Sequence, residues 1–119
     1  MICDRHDLVV VPFPFSERVK TKRRPALVLS GRPFNRNGHT VMAMVTTKRD
    51  PSWPGDTPIT DHQHAGLKRS CLVRFKLFTL DNRLILRKTG RLAAEDAARV
   101  VSSTMTILDC SPPATPDDA

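Results

Sequence analysis

The sequence predicts a small, mainly β domain, a barrel or curled sheet, that is closed by one C-terminal helix. Several short apolar runs are separated by turn-forming residues, and helical spacing of apolar residues occurs only near the end of the chain. With 119 residues, 39% hydrophobic and 26% charged, the chain fits one soluble domain with a modest core. We expect this domain to span residues 1–110, followed by a disordered, Pro-rich acidic tail at 111–119.

Three strand-like runs fall in the first half of the chain, at residues 8–11, 26–29 and 40–46. The first run ends in a proline-rich exit, and the second starts after Pro25, which favours an extended backbone at Arg24. A polar and basic stretch at residues 16–24 separates these two runs and predicts a mobile loop. Turn formers at 31–38 precede the third run.

The second half begins with a long irregular loop at residues 48–57 that contains Trp53. Further strand signals follow at 71–75, 78–80 and 84–87, with a turn at 81–82.

Helical spacing then places one apolar stripe on a final helix, with acidic residues in its first turn. The stripe consists of Ala97, Val101, Thr104 or Met105, and Leu108.

The chain is strongly basic, with a formal net charge of +7 and a sequence pI of about 10.0. A short chain of this charge favours polyanionic partners, which leaves RNA, DNA and an acidic protein as candidates. The three cysteines are far apart and form neither a metal pair nor a disulfide framework, so reduced thiols are expected. Neither a membrane-spanning run nor a signal-peptide pattern is present, which favours the cytoplasm.

Five sequence phrases follow one another over about residues 7–108. The first two are Asp7-Leu8-Val9-Val10-Val11-Pro12-Phe13-Pro14-Phe15 and Lys22-Arg23-Arg24-Pro25-Ala26-Leu27-Val28-Leu29-Ser30. The others are Val45-Thr46-Thr47, then Ala65-Gly66-Leu67 leading to Val73-Arg74 and Lys76-Leu77, and finally Leu84-Ile85 with Gly90-Arg91-Leu92. In their order and spacing these phrases resemble the MazF/PemK toxin family, and Arg-Pro followed by an apolar strand is the most telling of them.

The resemblance implies an SH3-like barrel of the MazF/PemK/CcdB type with a C-terminal helix, and a homodimer. It also implies ribosome-independent, sequence-specific cleavage of single-stranded mRNA without a metal or other cofactor, growth inhibition in the cytoplasm, and neutralisation by a cognate antitoxin. Arg24 matches the family's catalytic arginine and Thr46 its catalytic threonine.

The chain also departs from the family pattern at three places. His6 stands where the family usually has glycine, and Ala93 and Ala94 replace the usual Ser or Thr cap of the last helix. Some relatives use an acid two residues after the arginine that Arg74 matches, but this chain has Lys76 there. A carboxylate-based mechanism is therefore not expected.

Cleavage by the RNA's own 2′-hydroxyl requires proton removal, stabilisation of charge on the phosphate, and protonation of the leaving oxygen. The guanidinium fork of Arg24 suits the charged phosphate, and the hydroxyl of Thr46 can donate one more hydrogen bond. Arginine is a poor proton acceptor, so the general base stays open. The alternatives are the histidines, at positions 6, 39, 62 and 64, although His62 and His64 form a short polar motif that is usually solvated surface.

A second set of residues is expected to bind the RNA: Lys20, Lys22, Arg23, Thr47, Arg74 and Lys76. Arg74 and Lys76 lie two apart on a strand and therefore share a face. Trp53 is open to two interpretations, a base-stacking residue or a core or dimer anchor.

Two other functions remain as alternatives. A gyrase-poisoning toxin would share the fold but cleave nothing, and the Arg24 and Thr46 pair argues against it. A non-catalytic RNA-binding barrel fits the charge, but its usual aromatic platform is thin here, with 5% aromatic residues and no tyrosine.

Overall fold

The fold is one curled antiparallel sheet of six strands with a C-terminal helix, in the order β4-β5-β3-β2-β1-β6. The structure, a computed structural model, describes residues 1–12 and 22–113, so Lys20, most of the predicted basic loop and the last six residues of the predicted tail lie outside it. The elements are β1 (Asp7–Pro12), β2 (Arg23–Val28), α1 (Arg32–Asn35), β3 (His39–Thr46), β4 (Thr57–Ile59), β5 (Cys71–Asp81), a 3-10 helix (Asn82–Leu84), β6 (Arg87–Arg91) and α2 (Ala94–Leu108). The predicted mainly β fold is confirmed.

Both faces of the sheet carry a hydrophobic core, because successive strand residues point to opposite sides. The first core packs under α2 and includes Leu8, Leu27 and Val100. The second core lies on the opposite face and includes Val11, Ala26, Val28, Met42 and Phe78, with Met44 packed against it. A strand with both faces covered is apolar throughout, which explains the continuous apolar runs of β1 and β2.

Between residues 71 and 91 the strand boundaries differ from those predicted. The two runs predicted at 71–75 and 78–80 form the single strand β5, which pairs with β3 through a bulge, so that Met44 lies opposite Arg74 but Ala43 opposite Leu77. The strand predicted at 84–87 is wrong, since β6 spans Arg87–Arg91 and Leu84 ends a 3-10 helix. Leu84 is 46% exposed, so an apolar residue there did not mark a buried strand.

The helix α2 forms where the sequence predicts it, but its buried stripe differs. Val100 is buried and Ala97 and Val101 are half-buried, whereas Met105 is 54% exposed. The fully buried polar member of the helix is Asp96, which an apolar pattern cannot indicate. The helix begins after Ala93, whose methyl side chain has no atom that can form a capping hydrogen bond.

The turn after β4 packs against β6 through two glycines. A Cβ on Gly66 would lie 2.1 Å from the carbonyl oxygen of Thr89, and a Cβ on Gly90 would lie 2.5 Å from the carbonyl carbon of Ala65. Only glycine allows two backbones to approach so closely, and Gly66 also has a positive φ of 73°. The phrases Ala65-Gly66-Leu67 and Gly90-Arg91-Leu92 therefore meet in space.

The three cysteines are free, with Cys3 and Cys71 buried and Cys110 exposed. Burial raises the pKa of the Cys3 and Cys71 thiols. Among the described residues, none of the helices has both the length and the apolar character needed to span a bilayer.

Candidate active site

Arg24 lies near the start of β2, on the face of the sheet that carries the second core. It pairs with Val11 of β1, which is fully buried, and strand alternation puts it on the same side as Ala26 and Val28. Arg24 itself is exposed. The strand therefore presents its guanidinium to solvent at the rim of an apolar surface.

Thr46 ends β3 on the same face. In the β2–β3 pairing, Ala26 lies opposite Met44 and Val28 opposite Met42. Counting two residues further along each strand puts Arg24 opposite Thr46. Residues opposite each other in an antiparallel pair point to the same face, so the two predicted catalytic residues share one end of one face.

The hydroxyl of Thr46 is fixed by its own chain. Thr46 is half-buried, and its Oγ1 accepts a hydrogen bond of 3.1 Å from the backbone N–H of Lys48. A threonine hydroxyl has one donor hydrogen as well as lone pairs. Because Lys48 occupies a lone pair, the hydrogen stays available to an incoming acceptor such as a phosphate oxygen.

Two of the histidines lie at the far end of the strands that carry Arg24 and Thr46. The backbone N–H of His6 donates to the carbonyl of Val28, which is four residues, or about 13 Å of strand, away from Arg24. His6 is buried, and its pKa is lowered to about 4, first by burial and then by the positive charges of Arg5 and Arg91. His39 begins β3, at the other end from Thr46.

The motif His62-x-His64 lies in the turn after β4. The carboxylate of Asp61 accepts a hydrogen bond from the backbone N–H of His64, so the motif closes a local turn. Within residues 1–12 and 22–113, His, Cys, Asp and Glu side chains do not gather in groups of three or more that could hold a metal ion.

Arg74, which is predicted to bind RNA, makes several hydrogen bonds within the protein. It lies opposite Met44 and is buried, with 8% of the residue exposed. Its Nε and one terminal nitrogen donate to the two carboxylate oxygens of Asp56 at 3.1 and 2.9 Å. The same terminal nitrogen also donates to the carbonyls of Lys48 and Pro51. Arg74 thus ties the loop between β3 and β4 to β5.

Lys76 reaches the same loop, as the two-residue spacing from Arg74 predicts. Its ammonium nitrogen lies 4.7 Å from the centre of the Trp53 ring, within the range of a cation–π contact. Trp53 is 41% exposed, so the interpretation as a core residue does not apply to it. Sequence reasoning missed Asp56, because an acid beside Gly55 in a Pro-rich stretch has the signature of an ordinary turn.

The other described residues predicted to bind RNA, Lys22, Arg23 and Thr47, are exposed and lie next to Arg24 or Thr46 in the sequence. A groove of about 460 Å³ lies beside Arg24 and has both apolar and arginine side chains in its lining. It is lined by Val10, Arg23, Arg24, Pro25, Leu86 and Arg87. Exposed cations beside apolar surface are suited to a ligand with phosphates and bases.

The fold and the exposed arginines define a class of small curled-sheet domains with a basic edge, and comparison with known proteins shows which family of this class the chain belongs to. The family profile described as "PemK-like, MazF-like toxin of type II toxin-antitoxin system" matches residues 4–108. The chain therefore belongs to this family, and the resemblance read from the sequence is confirmed. A search of curated proteins found no significant match.

Solved structures agree in fold. A MazE–MazF crystal structure from Deinococcus radiodurans aligns with a TM-score of 0.74 at 24% identity, over 93% of this chain and 100% of that one. MazF from the same organism aligns with a TM-score of 0.71 at 26% identity, over 92% and 98% of the two chains. An endoribonuclease in complex with its cognate antitoxin, from a mycobacterial species, gives 0.71 at 15% identity over 94% and 98%.

Proposed function

We propose that this chain is a metal-independent endoribonuclease that cuts single-stranded mRNA at short specific sequences without the ribosome, and thereby inhibits growth as the toxin of a toxin–antitoxin pair. The observation that carries the proposal is that Arg24 and Thr46 lie on the same sheet face, two residues beyond the Ala26–Met44 pair, so that extending this register brings them opposite each other. A solvent-facing guanidinium beside an oriented hydroxyl is suited to a phosphodiester.

The chemistry follows from these two groups. The fork of Arg24 donates two hydrogen bonds to the non-bridging oxygens of the scissile phosphate, and these strengthen as the 2′-oxygen attacks and charge develops on phosphorus. Thr46 donates its remaining hydrogen to the same phosphate. The P–O bond to the 5′-oxygen then breaks, and the leaving oxygen takes a proton from a general acid or from water, which gives a 2′,3′-cyclic phosphate and a 5′-hydroxyl. The proton of the 2′-hydroxyl passes to a base that these residues do not identify.

Lys22 and Arg23 precede Arg24 and Thr47 follows Thr46 in the sequence, and all three are exposed; we propose that Lys22 and Arg23 bind the flanking phosphates. The groove beside Arg24 has both apolar and arginine side chains in its lining, which suits a base and its phosphates. Single-stranded RNA fits this surface better than duplex, because an unpaired base can be turned toward the protein.

The partners and location are also proposals. The D. radiodurans structure is a MazE–MazF complex, and the mycobacterial endoribonuclease is bound to its cognate antitoxin. We infer that an acidic antitoxin segment lies along the same basic surface and competes with RNA, associating faster at low salt. The family resemblance further supports a homodimer that acts on mRNA in the cytoplasm.

The test is an end-mapping experiment on a defined single-stranded RNA of mixed sequence, with purified protein and excess chelator. We expect cuts at a recurring short motif, with 2′,3′-cyclic phosphate and 5′-hydroxyl ends. A matched RNA with a single 2′-deoxyribose at the scissile position should stay whole at that position, because the attacking oxygen is missing. Cleavage of the deoxy position at the same rate, or loss of cleavage on chelation, would contradict the mechanism.

A further inference from the structure

The loop between β3 and β4, which begins after Thr46, carries the exposed indole of Trp53. We propose that Trp53 is a stacking platform for one unpaired nucleobase of the RNA, and that Asp56 and Arg74 are positioning residues that hold this platform. The inference rests on the proposed function in taking RNA as the occupant. It assigns Arg74 a different role from the direct RNA contact that the sequence predicts.

The backbone of Trp53 is anchored by hydrogen bonds that lead through Asp56 to Arg74. Its backbone N–H donates to Oδ2 of Asp56 at 2.9 Å, and the same oxygen accepts from Arg74 at 2.9 Å. The hydrogen bond of Arg74 lowers the pKa of the Asp56 carboxyl, so the carboxylate is charged at neutral pH. One buried guanidinium thus fixes the carboxylate that fixes the indole-bearing residue.

The far end of the loop is held as well. A Cβ on Gly55 would lie 2.4 Å from Cδ1 of Ile107, so this glycine packs directly on the end of α2. Two residues on, the hydroxyls of Thr57 and Ser103 are 2.8 Å apart. A loop tied to both β5 and α2 restrains the backbone that carries the exposed aromatic ring, which reduces the entropy lost when a base stacks on it.

The ring of Trp53 is exposed and has a positive charge beside it. With Lys76 within cation–π distance of the indole and Trp53 41% exposed, the residue offers aromatic surface beside a positive charge. Bases stack on such surfaces with little regard to sequence, and a nearby ammonium suits the base's own phosphate. Lys48 and Arg49, at the start of the same loop, are exposed cations.

The loop that carries Trp53 is continuous with the strand that carries Thr46. The loop begins directly after Thr46 and Thr47, and Lys48 links the two regions because its N–H donates to Thr46 while its carbonyl accepts from Arg74. Arg74 itself lies opposite Met44, on the face shared with Thr46. A strand of RNA with one phosphate at Arg24 and Thr46 would therefore meet the loop with a neighbouring nucleotide.

The test uses Trp53 as its own probe, because the chain has one tryptophan and no tyrosine. The ligand is an all-2′-deoxy oligonucleotide of the cleaved sequence, which cannot be cut, and its binding is followed separately by anisotropy of an attached dye. We expect saturating oligonucleotide to quench Trp53 fluorescence. An oligonucleotide with the same phosphates but one abasic position, moved stepwise along the strand, should restore the fluorescence at one position only.

Equal quenching by every abasic oligonucleotide, or no quenching at all when anisotropy shows saturation, would overturn the platform. These results are distinct from failure of the proposed function. Normal cleavage without quenching would refute the platform alone, whereas position-dependent quenching without cleavage of the all-ribose RNA would refute the nuclease alone.

Variants test the roles separately. Trp53→Leu should weaken oligonucleotide binding about five- to a hundredfold, and Trp53→Phe should recover most of this loss. Phe34→Leu is the matched control, since Phe34 is 48% exposed on α1, and its affinity should stay within twofold. A Trp53→Leu affinity equal to that of the control would contradict the inference.

The positioning role is read from the amplitude of quenching at saturation, which reports ring geometry rather than affinity. Asp56→Asn should reduce this amplitude, because the neutral amide no longer accepts from Arg74 through both of its terminal atoms. Arg74→Lys should do the same, and it serves if the first variant does not give a wild-type circular dichroism spectrum. Unchanged amplitude in a folded variant would remove Asp56 and Arg74 from the platform.

Discussion

Arg74 of β5 and Asp56 of the β3–β4 loop form a two-point ion pair, with Nε and a terminal nitrogen 3.1 and 2.9 Å from the two carboxylate oxygens. The pair is mostly buried, with 9% and 15% of the two side chains exposed. A buried guanidinium that makes four hydrogen bonds to one loop determines where that loop lies. The arginine that matches the family phrase therefore has a structural partner that the sequence comparison alone does not indicate.

Removal of Arg74 should destabilise the protein. Arg74→Met should lower the free energy of unfolding by about 3 kcal/mol, because it leaves the Asp56 carboxylate and two carbonyls without their donor. Denaturant unfolding followed by circular dichroism measures this change. The matched control is Arg83→Met, which breaks the exposed pair with Asp81 and should leave the midpoint almost unchanged. Equal midpoints for the two variants would mean that the buried pair does not hold the loop.

The pair also predicts a dependence on pH. The hydrogen bond from Arg74 keeps the pKa of Asp56 below its ordinary value of 3.8. The folded protein therefore loses this proton more readily than the unfolded chain, so the stabilisation is complete above the ordinary pKa and is lost as pH falls below it. Melting temperatures from pH 6 to pH 3 should fall less steeply for Asp56→Asn than for wild type. Parallel curves would contradict the assignment.

Asp96 predicts a second stability effect, at the start of α2. It is fully buried, and it accepts hydrogen bonds from the backbone N–H groups of Thr60 and Asp61, from the Thr60 hydroxyl and from Arg99. Burial raises its pKa, but these hydrogen bonds outweigh burial and the net pKa is lowered.

Asp96→Ala should lower the free energy of unfolding by about 3 kcal/mol, since four donors lose their acceptor. Glu95→Ala, on the exposed side of the same turn, is the control and should change the free energy by no more than about 0.5 kcal/mol. The comparison requires only denaturant midpoints. An Asp96 variant as stable as the Glu95 variant would show that α2 is held by its apolar residues alone.

The basic rim predicts a salt effect on RNA binding. If Lys22 and Arg23 each contact one phosphate, replacing either with alanine should reduce the slope of log affinity against log salt by about 0.7 for single-stranded RNA. Arg36→Ala removes the same charge from the exposed end of α1 and should leave the slope unchanged. If all three variants had the same slope, the effect would be one of net charge and not of contact.

Much of the sheet was predictable because β1, β2 and β3 are buried on both faces and read as apolar runs. The strand β4 was missed because it has three residues and includes Pro58, and β6 was misplaced because its residues are polar and partly exposed. The pattern of apolar residues does not reveal a strand that is held in the sheet mainly by backbone hydrogen bonds. The two glycine phrases were recognised in the sequence, but their contact across the fold came only from the structure.

The site was predictable to a similar extent. Arg24 and Thr46 were predicted as site residues from the family resemblance. The strand register in the structure shows in addition that they lie on the same face of the sheet. The roles of Asp56 and Arg74 could not be predicted, because a contact across 18 residues of loop and strand depends on how the loop folds back. Sequence spacing defines neighbours within a strand, not across a loop.

The central claim is that Arg24 and Thr46 stabilise the reacting phosphate, and the single-turnover cleavage rate at saturating protein tests it most directly. Arg24→Ala and Thr46→Ala should each lower this rate by about 10² to 10³, because each removes a group that, in the proposed mechanism, donates a hydrogen bond to the phosphate. Arg36→Ala should stay within a few-fold of wild type. Rates for Arg24→Ala and Thr46→Ala as high as that of Arg36→Ala would contradict the claim and place the chemistry elsewhere on the protein.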